Sequence, residues 1–542
     1  MNKRNPLLFP ALFAFVSLLL TANPAVGQVG LHKNITPEAQ QIAKEHLQSP
    51  MAKYLSGTGR NALNLMAGTL GQPATDRGLE AGPLPRLRVL APLIVQGLEV
   101  TVNDPSQDTF FETSFDISTQ SETAVAGFDN GTVSNIVVTF NDSTDFATGT
   151  SFMGYARSTD GGASFTDLGA IPATATGLNM GDPGIGVNRA GVFYASAIEF
   201  DSARPAGFGV AIGISKSTNG GQTFSAPVYP APGGPANSFT DKPFLAVDAS
   251  SGSGGGKNVY VTWTNFPAIF TGQLPIFFSR STDGGATFSA PMQISSQGTI
   301  NQGSAPVVGP DGTLYIVWEQ FSQFLGQPSF IVFTKSTDGG ATFIPPTQIA
   351  TLNDIGFFGG TMLPGFRVNS FPRIAVSPTT GTVVITYGSN PFTGDSGDVF
   401  FIASPNGGAT WNGPTQLNDD GTFNDQFFPD VAANSNGIFE FLWNDKRNDP
   451  ANLSFDMFET QSLDDGASAQ PNTQITSASS FPAFGYDPFV VSNYMGDYND
   501  IEVIMTPSGP GTAFLQAWGD NRRVTVTRGG TRNDQDVMFH SD

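Results

Sequence analysis

One short motif recurs along this chain and constrains its fold more than any other feature. It has the form Ser-x-Asp/Asn-x-Gly-x-x-aromatic. Five copies match it at residues 158–165, 217–224, 281–288, 336–343 and 404–411, and a degenerate sixth copy lies at 462–469. Successive copies begin 59, 64, 55, 68 and 58 residues apart. Such regular spacing indicates one structural unit that is built several times.

The residue types of this motif predict a tight corner between two β-strands. Asp or Asn followed by Gly-Gly favours a hairpin turn, because these residues tolerate a positive φ. The Asp or Asn oxygen can accept main-chain N–H groups inside the turn, and the Ser and Thr hydroxyls can extend that local network. The final aromatic residue then folds back as an apolar plug. We call each copy a corner motif.

A second series of segments keeps step with the corner motifs. β-like runs that end in an aromatic residue occur at 136–140, 259–263, 314–318, 383–387, 438–443 and 513–518, with a weaker one at 191–200. Another apolar run precedes most of them. Each repeat therefore predicts three strands, the corner and a fourth strand. Four short antiparallel strands in every repeat of about sixty residues are typical of a β-propeller blade.

The predicted fold is all-β, a β-propeller of four-stranded antiparallel blades over residues 94–542 with a short helical extension at the N-terminus. The number of aromatic-ended runs favours seven blades, and six blades are the alternative. The last repeat holds only three strands. We expect residues 97–102 to supply its fourth strand, which would close the ring and remove a free sheet edge.

The N-terminal residues 1–27 have the features of a secretory signal peptide. Lys3 and Arg4 precede an apolar run, and Ala25-Val-Gly27 provides a small-x-small cleavage site. The run is shorter than the roughly 20 residues that a membrane-spanning helix needs. We therefore expect a secreted or periplasmic protein with no transmembrane segment in its mature form. Residues 28–70 are a predicted helical leader, with helical spacing over 38–48, and residues 71–93 are a Pro/Gly-rich linker.

Composition excludes several kinds of site. The chain has no cysteine and 3 histidines, which lie near its two ends, so Cys-ligated metals are impossible and His-dependent hydrolysis is disfavoured. Acidic residues outnumber basic ones 46 to 25. Loss of Lys3 and Arg4 with the signal peptide leaves 23 basic residues and a net charge of −23 (23 − 46). A polyanion repels phosphate, so we expect no nucleic-acid partner.

The corner motif resembles the Asp-box, or BNR repeat, of the sialidase-like superfamily. The resemblance covers about residues 94–542 and implies a propeller whose corner motifs lie on the outer rim, on the face away from the active site. For a sialidase of this family it implies three arginines that hold the substrate carboxylate, a Tyr–Glu nucleophile and an Asp acid/base. The first of those arginines lies in a Phe/Tyr-Arg-Ile-Pro motif. This sequence lacks that motif, and its nearest string, residues 371–375, is in a different repeat.

Candidate site residues lie at the strand ends of the face opposite the corners. Two similar strings, residues 443–447 and 518–522, follow two aromatic-ended strands, and Tyr498 lies among carboxylates at the start of the last repeat. The catalytic candidates are Asp445, Asp520 and Tyr498, and the substrate-binding candidates are Arg373, Arg447, Arg522, Trp443 and Trp518. Alternatively, each Asp–Arg pair braces neighbouring blades. No cofactor is required, although Asp and Asn oxygens could hold Ca²⁺.

Two functions stay open at this point, and whether the chain is an enzyme stays open with them. The first is a non-catalytic exoprotein that binds a glycan or a cell-surface or extracellular protein. The second is an exo-sialidase-like glycoside hydrolase that uses carboxylates, Tyr and Arg at the propeller mouth. The missing arginine motif favours the binding protein. In either case we expect a monomer.

Overall fold

A computed structural model describes most of the chain from residue 37 onward. The described residues are 37–49, 51–55, 57–67, 99–110, 116–117, 119–144, 151–201, 210–230, 238–250, 256–267, 272–322, 327–356, 361–391, 394–487, 489–527 and 530–542. The predicted signal peptide (1–27) and linker (71–93) lie outside these ranges. Helix α1 spans Pro37–Gln48, a 3₁₀ turn spans Ala52–Tyr54, and helix α2 spans Gly57–Ala67. Among the described helices, none has the length and apolarity to cross a membrane.

The strands of the first half of the chain fall into groups of four after three short ones. The short strands are β1 (Val100–Thr101), β2 (Thr109–Phe110) and β3 (Asp116–Ile117). The first two groups are β4 (Gln120–Asp129), β5 (Ser134–Asp142), β6 (Met153–Ser158) and β7 (Thr166–Ala170), then β8 (Gly177–Asn179), β9 (Gly184–Val187), β10 (Phe193–Asp201) and β11 (Val210–Ser217). The next two are β12 (Phe239–Val247), β13 (Val259–Phe266), β14 (Ile276–Ser281) and β15 (Met292–Gln293), then β16 (Ile300–Val308), β17 (Leu314–Phe321), β18 (Ser329–Ser336) and β19 (Thr347–Leu352).

The second half continues this pattern and adds two short hairpins. The first hairpin is β20 (Thr361–Met362) with β21 (Phe366–Arg367). The following groups are β22 (Arg373–Val376), β23 (Val383–Ser389), β24 (Asp398–Ser404) and β25 (Asn412–Gln416), then β26 (Gln426–Ala433), β27 (Phe439–Asp445), β28 (Asp456–Ser462) and β29 (Thr473–Gln474). The last strands are β30 (Asp500–Thr506), β31 (Gly509–Asp520), the hairpin β32 (Val524–Thr527) with β33 (Gly530–Asn533), and β34 (Asp536–Ser541).

Most of these strands form four-stranded antiparallel sheets. Five such sheets are separate, and one eight-stranded sheet has the order β1-β34-β31-β30-β4-β5-β6-β7. Its two halves are joined by a parallel pairing of β30 with β4 at Met505 and Phe128. The first strands of successive groups contact one another from β4 through β9, β12, β16, β22 and β26 to β30, and β30 contacts β4. This arrangement is consistent with a propeller-like fold.

The strand beside β34 comes from the segment that the sequence nominated. In β1, Val100 lies opposite Phe539 and Thr101 lies opposite Met538, and the pairing is antiparallel. The prediction that residues 97–102 supply a strand to the last repeat is therefore confirmed for β1. The pairing joins the two ends of the β-region and covers the edge of β34 that would otherwise be free.

Each corner motif forms the hydrogen-bonded turn that its residue types predict. In the copy after β14, the Ser281 hydroxyl donates to Asp283 (2.7 Å) and accepts from the main-chain N–H of Gly285 (2.9 Å). Asp283 Oδ1 accepts from the N–H groups of Ala286 and Thr287 (3.1 and 2.9 Å), and its Oδ2 accepts from the Thr287 hydroxyl (2.6 Å). The network satisfies turn donors locally.

The aromatic plugs of the corner motifs also join neighbouring sheets. Four of them contact a ring from the third strand of the preceding group or, for the first group, from β34. The ring pairs are Phe165 with Phe539, Phe224 with Tyr155, Phe343 with Phe278, and Trp411 with Phe333, at centroid separations of 5.0, 5.2, 4.9 and 5.2 Å. Such edge-to-face aromatic contacts add packing energy across the sheet-to-sheet interface.

A recurrent β-bulge disturbs the start of the first strands. The register against the second strand shifts between Ser121 and Ala124, Asp241 and Phe244, Gln302 and Ala305, and Phe427 and Asp430. A residue with positive φ lies inside each bulge: Glu122 (52°), Lys242 (52°), Gly303 (67°) and Phe428 (52°). Asp182, which precedes β9, has a φ of 54°. For residues other than glycine this conformation costs roughly 1–2 kcal/mol, and a bulge redirects the side chain that it carries.

Candidate functional site

A buried ionic cluster lies where several first strands begin. We define it as Glu122, Asp182, Lys242, Arg367 and Asp497. The Lys242 Nζ atom lies 3.1 Å from the Glu122 carboxylate and 3.6 Å from that of Asp182. It lies 2.8 Å from Asp497, which also accepts from Arg367 at 2.7 Å. The Lys242 side chain is 0% exposed and those of its three carboxylate partners are at most 1% exposed.

The bulges described above place these side chains together. Glu122 and Lys242 occupy the positive-φ position of their strands, and Asp182 has the same conformation just before β9. Arg367 arrives from the hairpin strand β21, and Asp497 precedes β30. The cluster thus joins residues that are far apart in sequence, and it accepts backbone strain at three positions to do so.

Burial and ion pairing oppose each other in this cluster. Burial would lower the pKa of Lys242, but Asp182, Asp497 and Glu122 outweigh it, so that the pKa is raised. Burial would raise the pKa of Asp497, but Arg367 and Lys242 outweigh it, so that the pKa is lowered. For Glu122, burial outweighs the attraction of Lys242 and raises the pKa well above its ordinary value.

Neutral side chains also form hydrogen bonds with the ionic cluster. Asn141, at the end of β5, donates to Glu122 (3.0 Å) and to the hydroxyl of Tyr494 (2.7 Å), and its side-chain oxygen accepts from the Asp182 N–H (3.1 Å). Burial, followed by the charge of Glu122, raises the pKa of Tyr494 well above its ordinary value. The neighbouring groups therefore hold the cluster in one arrangement and keep Tyr494 in its neutral form.

Two residues nominated from the sequence, Tyr498 and Arg373, lie together beside the ionic cluster. The Arg373 Cζ atom is 4.8 Å from the centre of the Tyr498 ring, and Lys242 Nζ is 4.7 Å from the same ring. The Tyr498 hydroxyl donates to the carbonyl of Pro183 (2.8 Å), and Arg373 pairs with Asp430 (3.7 Å). Burial, followed by Glu122 and Asp182, raises the pKa of Tyr498 well above its ordinary value, which disfavours a phenolate nucleophile.

The string 443–447 forms a compact unit after β27. Asp445 is buried and accepts from the indole N–H of Trp443 (2.9 Å) and from Arg447 Nη2 (2.8 Å). Arg447 also donates to Asp419 (2.7 Å) and to Asn472 (2.8 Å), which belong to the loops before β26 and β29. The arginine therefore ties the end of β27 to two loops of its own group.

The string 518–522 repeats that unit after β31. Asp520 accepts from the indole N–H of Trp518 (3.3 Å) and from Arg522 Nη2 (2.7 Å). Arg522 Nη1 also donates to Glu99 (3.0 Å), the residue before β1, and to Ser477 (3.1 Å). The two strings follow equivalent strands in the sequence. In both, the Asp accepts from the indole N–H of the Trp and from the Arg, so their local structures match.

The structure brings the eight nominated residues together in three groups rather than one. Tyr498 and Arg373 form the first, residues 443–447 the second and residues 518–522 the third. Within the described ranges, Arg373, Arg447 and Arg522 share no acidic partner. Sequence reasoning nominated neither Glu122, Arg367 nor Tyr494. One sequence signal could have pointed to the ionic cluster. A charged residue directly before a proline occurs at the start of two first strands, in Asp182-Pro183 and Lys242-Pro243.

A separate group of carboxylates lies between β27, β28 and the end of β34. One oxygen from each of Glu440, Glu459 and Asp542 lies within 4.8 Å of the others. Gln516 donates to both glutamates at 2.7 Å. Burial, followed by Glu459, raises the pKa of Glu440 to about 8. Such oxygens are ligands that Ca²⁺ accepts, so these residues could hold a cation, and Ca²⁺ binding stays a prediction.

Comparison with known proteins shows distant structural likeness. Neither a family model nor a curated protein matches this chain. Among solved structures it is similar to the Hadza microbial sialidase Hz136 (TM-score 0.41, 14% identity, 72% of this chain and 73% of that chain). It is also similar to a protein of unknown function from Dyadobacter fermentans DSM 18053 (TM-score 0.40, 12% identity, 84% and 98%) and to the Penicillium chrysogenum α-L-arabinanase complexed with arabinobiose (TM-score 0.37, 12% identity, 66% and 94%). The fold assignment rests on the strand pairing described above.

Proposed function

We propose that this chain is a secreted, sialidase-like, seven-bladed propeller that binds a glycan or an extracellular protein and hydrolyses no glycosidic bond. Counting each half of the eight-stranded sheet as one blade, with five separate sheets, gives seven. The corner motifs are its Asp-boxes. The observation that carries the binding function is the state of the ionic cluster, in which every charged group is paired and all but Arg367, whose side chain is 18% exposed, are fully buried.

Glycoside hydrolysis needs a carboxylic acid and a second carboxylate or Tyr that are free to meet the sugar. In the ionic cluster, Lys242 contacts all three carboxylates, and Asp497 holds both cations. Tyr498 uses its hydroxyl to donate to a main-chain carbonyl. These groups are engaged with one another, which supports a structural role for the cluster and a binding role for the propeller.

The arginines support the same proposal. A sialidase of the resembling family needs three arginines that converge on one substrate carboxylate. Here Arg373 pairs with Asp430, Arg447 with Asp445 and Asp419, and Arg522 with Asp520 and Glu99. A chain with net charge −21 offers an acidic sugar no favourable long-range field either.

An exo-sialidase-like glycoside hydrolase is the second candidate function. The observation in its favour is that Arg373, Tyr498 and the three carboxylates of the ionic cluster lie in one region. In that case Tyr498 would be the catalytic residue, and Asp445 and Asp520 would belong to separate structural units.

Both candidates are tested with the full chain, expressed with its own signal peptide and purified after export. It is assayed on a panel of fluorogenic glycosides that includes sialosides and arabinosides. We expect no turnover, together with retention of the chain on a glycan or extracellular-matrix protein array. Turnover that Tyr498→Phe abolishes and Tyr486→Phe leaves intact would overturn the binding proposal. Mass spectrometry of the exported protein is expected to give residue 28 as the first residue, and an uncleaved product would contradict the signal peptide.

A further inference from the structure

The leader helices cover one end of the ring of first strands. Helices α1 and α2 pack on each other, and α2 also contacts β12. The leader buries Ala43, Met51, Leu55, Leu63 and Met66, each at most 4% exposed. These side chains belong to one apolar cluster with residues from the starts of first strands and the ends of second strands, including Phe239, Phe266, Ile300 and Phe321. The leader therefore lies on the face opposite the corner motifs.

The turn between the two helices makes the most specific contacts. Gln302, at the start of β16, donates its amide N–H to the carbonyl of Tyr54 (3.0 Å). Arg367 Nη1 donates to the next carbonyl, that of Leu55 (3.3 Å). The last carbonyls of a helical turn have no partner within the turn, and the 3₁₀ turn ends at Tyr54. Two propeller side chains thus donate to the last carbonyls of this turn.

Each of the two donors also contacts a carboxylate of the propeller. Gln302 is 1% exposed and also donates to Asp241 (3.0 Å). Arg367 is held by Asp497 at 2.7 Å. Beside them the ring of Tyr54 meets that of Phe321 at 5.5 Å. A rigid pair of donors next to an apolar surface is the usual composition of a built recognition site.

We propose that residues 51–55 are an internal ligand, and that the propeller face beneath them is a recognition site for the end of a short helical turn from a partner protein. This inference rests on the binding function proposed above and names its partner class. The two donors bind main-chain carbonyls of the partner's turn. The apolar surface binds an aromatic side chain and the leucine that follows it. The chain's own segment occupies the site at an effective concentration on the order of 1 mM and competes with a partner.

A labelled peptide tests the site in the full chain. The probe is a fluorescein conjugate of the sequence of residues 49–57, and its binding is measured by fluorescence anisotropy. Tyr54→Ala/Leu55→Ala weakens the internal ligand, so this variant is expected to bind the probe. If the site binds the probe with a Kd of about 10 μM, the wild-type chain is expected to bind it about 100-fold more weakly, because of internal competition.

Matched controls distinguish specific recognition of the probe from nonspecific binding. Adding Gln302→Leu to the double variant is expected to weaken probe binding at least tenfold, whereas adding Gln293→Leu, outside the site, leaves it unchanged. A probe with Ala at both the Tyr and the Leu position is expected not to bind. If the double variant fails to fold, the wild-type chain is titrated with millimolar concentrations of the probe and of its Ala-substituted version, and equal affinities for the two overturn the proposal.

The outcomes also separate this inference from the proposed function. If the folded double variant does not bind the probe but binds glycans, the internal-ligand proposal is wrong and the proposed binding function is retained. A variant that gains glycoside turnover overturns the binding function, whereas probe binding by the same variant still supports the internal ligand.

Discussion

The Lys242 ammonium lies 2.8 Å from the Asp497 carboxylate, and both side chains are 0% exposed. Lys242 belongs to β12 and Asp497 precedes β30, so the pair joins the middle of the chain to its last group of strands. Removing one partner from a buried ion pair leaves an uncompensated charge, which is costly in a region that excludes water.

Replacing Lys242 by methionine keeps most of the side-chain volume and removes the cation. We expect Lys242→Met to lower the free energy of unfolding by about 3–5 kcal/mol, the usual effect of breaking a buried pair. Urea unfolding measures it, with Lys257→Met on the surface as control. Adding Glu122→Gln removes one stranded carboxyl group and is expected to recover part of the loss. Equal midpoints for Lys242→Met and Lys257→Met would contradict this account.

The corner motifs provide their own substitution series at the Asp position. Asn219 and Asn406 already occupy it, and each accepts from turn N–H groups and donates to a threonine hydroxyl. We therefore expect Asp283→Asn to change the free energy of unfolding little. Asp283→Ala deletes the acceptor and is expected to cost about 1 kcal/mol. Thermal unfolding distinguishes them, and equal losses for both variants would show that the side-chain acceptor is unimportant.

The two glycines of a corner motif differ in what lies beside them. Gly284 (φ 74°) has open space apart from the Tyr194 hydroxyl at 3.7 Å, whereas a Cβ on Gly285 (φ 76°) would lie 2.9 Å from the Tyr194 ring. Gly284→Ala is expected to cost about 1–2 kcal/mol through backbone strain alone. Gly285→Ala is expected to lose about 1–3 kcal/mol more through overpacking. Equal destabilisation of the two variants would mean that the sheets separate freely at this contact.

The repeat was predictable from sequence because its information is local. A corner motif such as 281–288 carries its own turn residues, hydroxyls and plug, and its network closes within eight positions. The strand beside β34 was also predictable, because a three-stranded last repeat leaves one edge that must be covered. The four-stranded organisation could thus be predicted from the local chemistry of the motifs and from the need to cover one free sheet edge.

The ionic cluster was less predictable because its contacts are non-local. Lys242 lies in β12 and Asp497 just before β30, but no residue pattern in either segment indicates that the two side chains pair. Arg367 comes from the hairpin β20–β21, which carries no repeat signature. The recognition site for residues 51–55 depends on Gln302 and Arg367 together. These two residues are far apart in the sequence, so no single segment could have revealed the site.

Stability toward alkali provides a test of the carboxylate group at Glu440. Burial, followed by repulsion from Glu459, raises the pKa of Glu440 to about 8 from an ordinary value of 4.5. The folded state therefore holds this proton more tightly than the unfolded chain does. The resulting stabilisation is fully present below about pH 4.5 and is lost as the pH rises to about 8, at a rate of at most about 1.4 kcal/mol per pH unit.

Glu440→Gln removes this titration. We expect the melting temperature of the variant to fall less than that of the wild-type chain between pH 5 and pH 8.5, because a neutral amide carries no charge to bury at high pH. Glu45→Gln, on the exposed face of α1, is expected to follow the wild-type curve. The comparison is made in EDTA, since a bound cation would keep the carboxylates ionised and reverse the trend. Parallel curves for all three chains would place the raised pKa elsewhere than Glu440.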